Sequence, residues 1–200
     1  NLKFWQKKKV LITGNTGFKG SWLSLVLLKL NCKIIGYSLV PPTSPSLFYT
    51  AKLNEKIQTY YNDIRDLEKF KECVVKFKPD IVIHCAAQSL VSVGYTNPVE
   101  TYSTNIMGTI NLFEILRKIN FECLLVNVTS DKCYIYQDKK KSFIESDPLG
   151  GKDPYSSSKA CSELITHAYN ETFFKDRSNI SLVSVRSGNV IGGGDWASNR

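Results

Sequence analysis

The sequence contains no apolar run long enough to cross a bilayer. Its longest, residues 22–30, is interrupted by Ser24 and Lys29, whereas a membrane helix needs about 20 consecutive apolar residues. No charged-then-apolar segment opens the chain, and the first apolar-rich run, Val10 to Ile12, reads as a strand. The expectation is a cytoplasmic protein without a membrane partner. Close cysteine pairs are missing too: the cysteines at 32, 73, 85, 123, 133 and 161 are never nearer than ten residues apart. That spacing excludes CxxC metal or redox pairs and leaves reduced thiols and no metal site. Arginine is scarce, five residues against 21 lysines in a chain of net charge +8, and base reading in nucleic acid favours arginine. Apart from Lys7-Lys8-Lys9 and Lys139-Lys140-Lys141 the lysines are scattered. The basic excess therefore reads as a solvated surface suited to an anionic substrate, with no nucleic-acid partner.

What is present is ordinary for a globular domain. Hydrophobic residues make up 42% and charged residues 22% of 200 residues, which excludes a disordered chain. Short β-branched runs at 9–13, 33–38, 58–62, 81–85, 124–129 and 181–186 alternate with helical patterns at 17–30, 66–77, 98–119 and 154–174. This alternation predicts an α/β fold, a doubly wound parallel sheet of the Rossmann-like kind. Consecutive apolar residues in Ile81-Val82-Ile83 and Leu124-Leu125-Val126 fit strands covered on both faces. The three prolines at 41, 42 and 45 demand a loop, and the polar stretch 134–152 reads as a long functional loop. The chain starts at Asn1 and stops at Arg200 in a polar, Gly-rich stretch. It reads as a fragment, one domain over residues 1–200.

The first strand runs into Gly14-Asn15-Thr16-Gly17-Phe18-Lys19-Gly20 and then an apolar helix. Glycines at such a junction allow a tight turn, close backbone approach to a pyrophosphate and close helix–strand packing. The helix start offers free N–H groups and a partial positive charge to the anion. Strand, turn and helix in this order point to dinucleotide binding. Strand two ends in Gly36-Tyr37-Ser38-Leu39, with neither an acid for a ribose 2′-hydroxyl nor an Arg cluster for a 2′-phosphate, so NAD and NADP both stay open at that position. Asp63, after the third strand, otherwise serves to cap the helix that begins at Asp66.

Asp153-Pro154 is a helix start, with Asp as N-cap and Pro at the first helical position. Tyr155 and Lys159 follow one turn apart on one face. Making a tyrosine a base near neutrality takes about 4 kcal/mol, and an ammonium about 5 Å away contributes on the order of 3 kcal/mol. The pair suits removal of a hydroxyl proton while hydride leaves for a nicotinamide. The fifth strand ends in Ser130-Asp131-Lys132, where open α/β sheets face their ligands. A hydroxyl is all that hydride transfer needs there; the adjacent acid and base are extra.

The Gly-x-x-Gly-x-x-Gly spacing with Tyr155-Ser156-Ser157-Ser158-Lys159 resembles the extended short-chain dehydrogenase/reductase superfamily. Further segments narrow the resemblance to its nucleotide-sugar dehydratases, in the branch acting on CDP-glucose. They are Asp63-Ile64-Arg65-Asp66, His84-Cys85-Ala86-Ala87-Gln88, Thr129 to Tyr134, Leu149 to Tyr155, and Arg186 to Trp196. In the dTDP-glucose branch a Glu stands in place of Lys132. The resemblance implies NAD held by Gly14, Thr16, Gly17, Phe18, Gly20, Asp63, Ile64, Ala86, Ala87, Gln88, Asn105, Tyr155 and Lys159. It implies a nucleotide sugar, CDP-glucose, contacted by Gln88, Ser130 and Asn189. In the chemistry so implied, Tyr155 takes the 4-hydroxyl proton and Asp131 protonates the departing 6-hydroxyl. Lys132 is either the C5 base or an electrostatic stabiliser of the enolate. The product is a 4-keto-6-deoxy sugar for deoxysugar and O-antigen polysaccharide (lipopolysaccharide) biosynthesis, a homodimer through the helices around 101–119 and 155–174 is expected, and the resemblance implies a smaller C-terminal substrate-binding portion missing from residues 1–200. After Ala86-Ala87-Gln88 this chain reads Ser89-Leu90-Val91-Ser92 where the family usually has Pro-Leu-Val-Arg. Competing readings are a dehydratase for another nucleotide sugar, a 4-epimerase, which has no need of Asp131 and Lys132, and a non-catalytic redox-sensing module.

Overall fold

The computed structural model describes residues 2–136 and 142–197; the run Lys139-Lys140-Lys141 lies outside them. Six strands, β1 (Lys9–Thr13), β2 (Lys33–Ser38), β3 (Gln58–Tyr61), β4 (Ile81–His84), β5 (Cys123–Val128) and β6 (Ile180–Val185), form one sheet. Every pairing is parallel and the order is β3-β2-β1-β4-β5-β6. The doubly wound, Rossmann-like expectation holds. The winding reverses between β1 and β4, the place where open α/β sheets bind ligands. Both faces are covered, as the unbroken apolar strands require. Val10 and Ile12 pack with Leu27, Ile81 and Ile83 on one face. Leu11, Val82 and Leu125 pack with Phe70, Phe113 and Phe174 on the other.

The helices are α1 (Leu2–Trp5), α2 (Phe18–Lys29), α3 (Leu47–Thr50), α4 (Leu67–Phe77), α5 (Val91–Thr96), α6 (Pro98–Tyr102), α7 (Gly108–Lys118) and α8 (Pro154–Tyr169). Asp66 caps α4 by accepting from the Lys69 N–H at 3.2 Å, and Asp153 caps α8 by accepting from the Ser156 N–H at 3.0 Å with Pro154 in the first turn. Two expected helices are corrected. The pattern over 98–119 is broken into α6, a π-turn at Ser103–Met107 and α7. The cause is tertiary: in the π-turn, Asn105 turns its amide onto the backbone of Gln88 and the Ser158 hydroxyl, and such bulges are common at functional sites. The helix over 154–174 stops at Tyr169 and ends in a second π-turn, Asn170–Phe174. Helices α1, α3 and α5 are too short to carry a periodic signal. Among the described residues no helix is long and apolar enough to cross a membrane.

Glycine matters most at Gly20, where a Cβ would run into the Gly14 carbonyl and come within 2.7 Å of Asn15 Cα. Only its absence lets α2 settle onto the β1 turn. At Gly108 the obstacle is the buried Ile64 side chain and not backbone, so it gives more readily. Gly20→Ala is therefore expected to destabilise by about 1–3 kcal/mol, the usual cost of overpacking. Gly108→Ala should cost less, because a helical Ala gains about 1 kcal/mol over Gly. Urea denaturation of the two variants measures the difference, and equal costs would contradict the packing described.

Candidate active site

The β1–α2 turn is shaped for an anion. Gly14 holds φ +71°, and a Cβ on it would lie 2.8 Å from the Ala86 amide nitrogen, so the turn and the end of β4 touch through backbone alone. The N–H groups of the first turn of α2 have no intrahelical partner, and no acidic side chain occupies that turn. The residues present fit the pyrophosphate of a dinucleotide. Thr16 ties the turn to the end of β2, its hydroxyl 2.7 Å from that of Ser38 and donating to the Leu39 carbonyl at 2.9 Å. Asp63 accepts from Arg65 in an ion pair of 2.5 Å, and Arg65 reaches Glu100 at 2.7 Å. The Arg65 hydrogen bond, the largest influence, holds the Asp63 carboxyl below its ordinary range. Asp66, not Asp63, is the helix cap. Ile64 is buried against Gly108.

The β4 end is knotted to α8. The Gln88 N–H donates to Asn105 Oδ1 at 2.8 Å, while Asn105 Nδ2 donates to the Gln88 carbonyl at 2.9 Å and to Ser158 Oγ at 2.8 Å. The Gln88 side chain donates to Thr101 at 2.7 Å. Both amides expected to face ligands are thus engaged by the protein. The Ala86 N–H donates to the Thr13 hydroxyl at 3.1 Å.

At the end of β5, Ser130 is buried and caps a 3₁₀ turn, Asp131–Cys133. Its hydroxyl donates to Asp131 Oδ1 at 3.2 Å. The Asp131 N–H donates to the Ser187 carbonyl at 3.0 Å, and Gly188 approaches Asp131 Oδ2. Asp131 is half-buried; Lys132 and Asn189 are exposed. On α8, Tyr155 and Lys159 are both buried, and Lys159 Nζ donates to the Val128 carbonyl at 3.3 Å. Burial, followed by the opposing influence of Cys85 and the reinforcing charge of Lys19, brings Lys159 down to about 8. Lys159 therefore gives up its proton more readily than an exposed lysine.

One turn beyond Lys159 stands a group that the sequence reading passes over. Glu163 is 4% exposed. It accepts from Thr129 and from Ser184 at 2.8 Å, and pairs with Arg186 at 2.9 Å. Burial raises its carboxyl, but hydrogen bonds from Arg186, Thr129 and Ser184 outweigh that and hold it below the ordinary range. Arg186 also lies over the Tyr134 ring at 4.8 Å. An acid on the inward face of α8, spaced i+4 from Lys159, was the available signal. His84, also buried, lies 2.7 Å from the Thr13 hydroxyl and 3.2 Å from that of Thr109. Because Thr109 gives its proton to the Asn105 carbonyl, His84 must donate from Nε2 and accept at Nδ1. Burial, with the Lys159 charge behind it, lowers His84 to about 3, so it stays neutral. Among the described residues no His, Cys, Asp and Glu group is arranged for a metal, and all six cysteines are free.

A family model for GDP-mannose 4,6 dehydratase matches residues 11–189. CDP-glucose 4,6-dehydratase of Salmonella typhimurium is 49% identical over 98% of this chain and 56% of its own length. Among solved structures, dTDP-glucose 4,6-dehydratase of Bacillus anthracis in complex with NAD superposes with a TM-score of 0.73 at 26% identity, covering 90% of this chain and 54% of that one. UDP-glucose 4-epimerase of Thermus thermophilus, also in complex with NAD, gives 0.74 at 27% identity over 89% and 53%. The chain spans about half the length of the curated relatives it matches.

Lys159 makes stability depend on pH in a calculable direction. Its folded-state pKa lies below the ordinary 10.5, so the unfolded chain binds the proton more tightly, and stability rises as pH climbs from about 8 to 10.5. Lys159→Met should exceed the parent in stability near neutral pH by up to about 3 kcal/mol, and the gap should close at the alkaline end. Urea titrations across this range test it; a gap independent of pH would contradict a buried, titrating ammonium.

Proposed function

The chain belongs to the GDP-mannose 4,6 dehydratase family, and from that membership we propose that residues 1–200 are the NAD-binding catalytic part of a nucleotide-sugar 4,6-dehydratase, a hydro-lyase that acts on CDP-glucose. The glycine cradle at the β1–α2 turn supports a dinucleotide, and the NAD complexes of the dTDP-glucose dehydratase and UDP-glucose epimerase neighbours favour NAD. The 49% identity to the Salmonella CDP-glucose enzyme supports the nucleotide. The single observation that carries the reaction type is Asp131, held beside Ser130 with its backbone pinned to Ser187. It supplies an acid that hydride transfer alone does not use.

Held by the turn from Gly14 to Gly20, NAD would supply the reversible hydride transfer that oxidation at C4 and reduction at C6 require. The protein moves the protons. Ser130 orients the sugar 4-hydroxyl, and Tyr155 takes its proton, aided by the neighbouring Lys159 charge. Oxidation at C4 acidifies the C5 hydrogen, which Lys132 either removes or, as an ammonium, makes easier to lose by stabilising the enolate. Asp131 gives a proton to the departing 6-hydroxyl, which leaves as water. A proton returned to C5 completes a 4-keto-6-deoxy sugar, an intermediate suited to deoxysugar and O-antigen polysaccharide assembly. Asn189, exposed beside Gly188, is placed in this reading on the sugar nucleotide. Exposed Met107 and Leu164 support assembly as a homodimer through the helical stretches 101–119 and 155–174, and the setting proposed for it is cytoplasmic.

The test is Asp131→Asn in the full-length protein. It should lower dehydration of CDP-glucose by about 10²–10⁴-fold, the range for loss of a general acid, while NAD affinity stays unchanged. Undiminished dehydration would remove Asp131 from the general-acid role, and a wild-type protein that inverts C4 of CDP-glucose without loss of water would sink the dehydratase reading in favour of a 4-epimerase.

A further inference from the structure

Helix α8 grips the end of β5 at three consecutive residues. Asn127 donates to Ser162 and Thr166, the Val128 carbonyl accepts from Lys159, and the Thr129 hydroxyl donates to Glu163. Ser130 and Asp131 come next, so Glu163 holds the chain one step before them. Glu163 also accepts from Ser184 on β6 and pairs with Arg186. Arg186 in turn donates to the Tyr134 hydroxyl at 2.9 Å and to the Glu145 carbonyl at 3.0 Å. Two strands, α8 and the loop after Tyr134 thus converge on one buried carboxylate. An amide would accept the bonds from Thr129 and Ser184 without the cost of burying a charge. The charge has a second target, Lys159, one turn back on the same helix face. Burial, the largest influence, and Lys19 on α2 drive the proton off Lys159. Cys85 at the end of β4, Glu163 and Cys133 in the 3₁₀ turn hold it on, and neighbouring His84 stays neutral. Burial raises both thiols to about 11, whereas the Glu163 carboxyl lies below its ordinary range. Of these three, Glu163 is the one that carries a negative charge near neutral pH.

We propose that Glu163 is a positioning residue for the dehydration, fixing Ser130 and Asp131 against α8 through Thr129 and keeping Lys159 an ammonium beside Tyr155. The inference rests on the dehydratase reading above and deepens it, since it concerns how that site is held together and not what it binds. Glu163 itself meets neither sugar nor dinucleotide; it acts through Thr129 and Lys159. Its charge and its hydrogen bonds can be separated by substitution. Glutamine keeps the length of the side chain, and the hydroxyls of Thr129 and Ser184 can bond its amide, but the charge is gone. Because Glu163→Gln leaves Arg186 facing a neutral group, the double variant Glu163→Gln/Arg186→Met removes both charges and serves should the single variant fold poorly. Arg177 provides a structural control. It lies before β6, at the other end of the sheet, and donates to the Arg117 and Ile119 carbonyls.

The experiment follows CDP-glucose dehydration against pH in the full-length wild type, Glu163→Gln, the double variant and Arg177→Met, with urea unfolding over the same pH range without ligand. Glu163→Gln should lower kcat at neutral pH about 10- to 100-fold, the cost of catalytic groups held out of place, and leave KM within about 2-fold. The active form has Lys159 protonated, so kcat falls as pH climbs through the lysine pKa. In both Glu163 variants that alkaline limb should move to lower pH, on the order of one unit, the attraction of a charge one helical turn away less its partial cancellation by Arg186. Unfolding reads the same shift without turnover. Folded Lys159 holds its proton less tightly than the unfolded chain does, so stability rises with pH between the two values. The rise should begin below the wild-type onset of about 8 in the Glu163 variants. Arg177→Met should lose stability and keep both the wild-type kcat and the wild-type onset. Glu163 variants that resemble it, destabilised with kcat and onset unmoved, would overturn the proposal. A wild-type protein that does not dehydrate CDP-glucose would overturn the function proposed above; the unfolding onset then still decides whether Glu163 holds the Lys159 proton, and an unmoved onset overturns that too.

Discussion

A row of polar side chains, Thr13, His84 and Asn127, lies side by side across the middle of the sheet at the last paired residues of β1 and β4. All three are essentially buried, and a buried polar group without a partner costs about 1–3 kcal/mol. Each therefore reaches for a helix or a turn. Thr13 takes His84 and the Ala86 amide; His84 takes Thr109 on α7; Asn127 donates to Ser162 and Thr166 on α8 at 3.0 and 2.9 Å. Ser184 on β6 and Thr129 extend the pattern through Glu163. These bonds set how far α8 slides along the sheet, and that position decides where Tyr155 and Lys159 stand relative to Ser130 and Asp131. The apolar core alone would tolerate a shift; the polar row would lose its partners.

The electrostatics of the rim follow from the same packing. Lys159 is enclosed because α8 must cover Asn127, and its Nζ donates to the Val128 carbonyl. Glu163, one turn on, is committed to Arg186 and so does not form a simple ion pair with Lys159. Lys159 therefore keeps a buried charge whose direct hydrogen bond is to a backbone carbonyl. A site of this kind favours anionic ligands at the expense of its own stability, a trade often met where binding residues are clustered.

The framework was legible in the sequence because it rests on local signals. Apolar runs mark β1, β4 and β5, the glycines at 14, 17 and 20 mark the cradle, and Asp153-Pro154 marks the start of α8. Tyr155 with Lys159, and Ser130 with Asp131, could be picked out because each pair is close in sequence. The break in the expected helix over 98–119 could not, since Asn105 distorts it for partners on β4 and α8. Glu163 and Arg186 come from different elements and meet only after the sheet closes. The loop after β2 hid α3, whose stability comes from burying Phe48 and not from periodicity. Thr16, Gln88 and Asn105 show a further limit: a residue type suited to a ligand can be engaged by the fold itself, through bonds between residues far apart in sequence.

The central claim is that one crevice both oxidises the sugar and expels its 6-hydroxyl. It is tested most directly by following a label from C4 of the substrate. CDP-glucose carrying deuterium at C4 should give the full-length protein a 4-keto-6-deoxy product with that deuterium at C6 and a solvent hydrogen at C5, read by NMR. Deuterium that remains at C4 in a sugar that has lost no water would contradict the account.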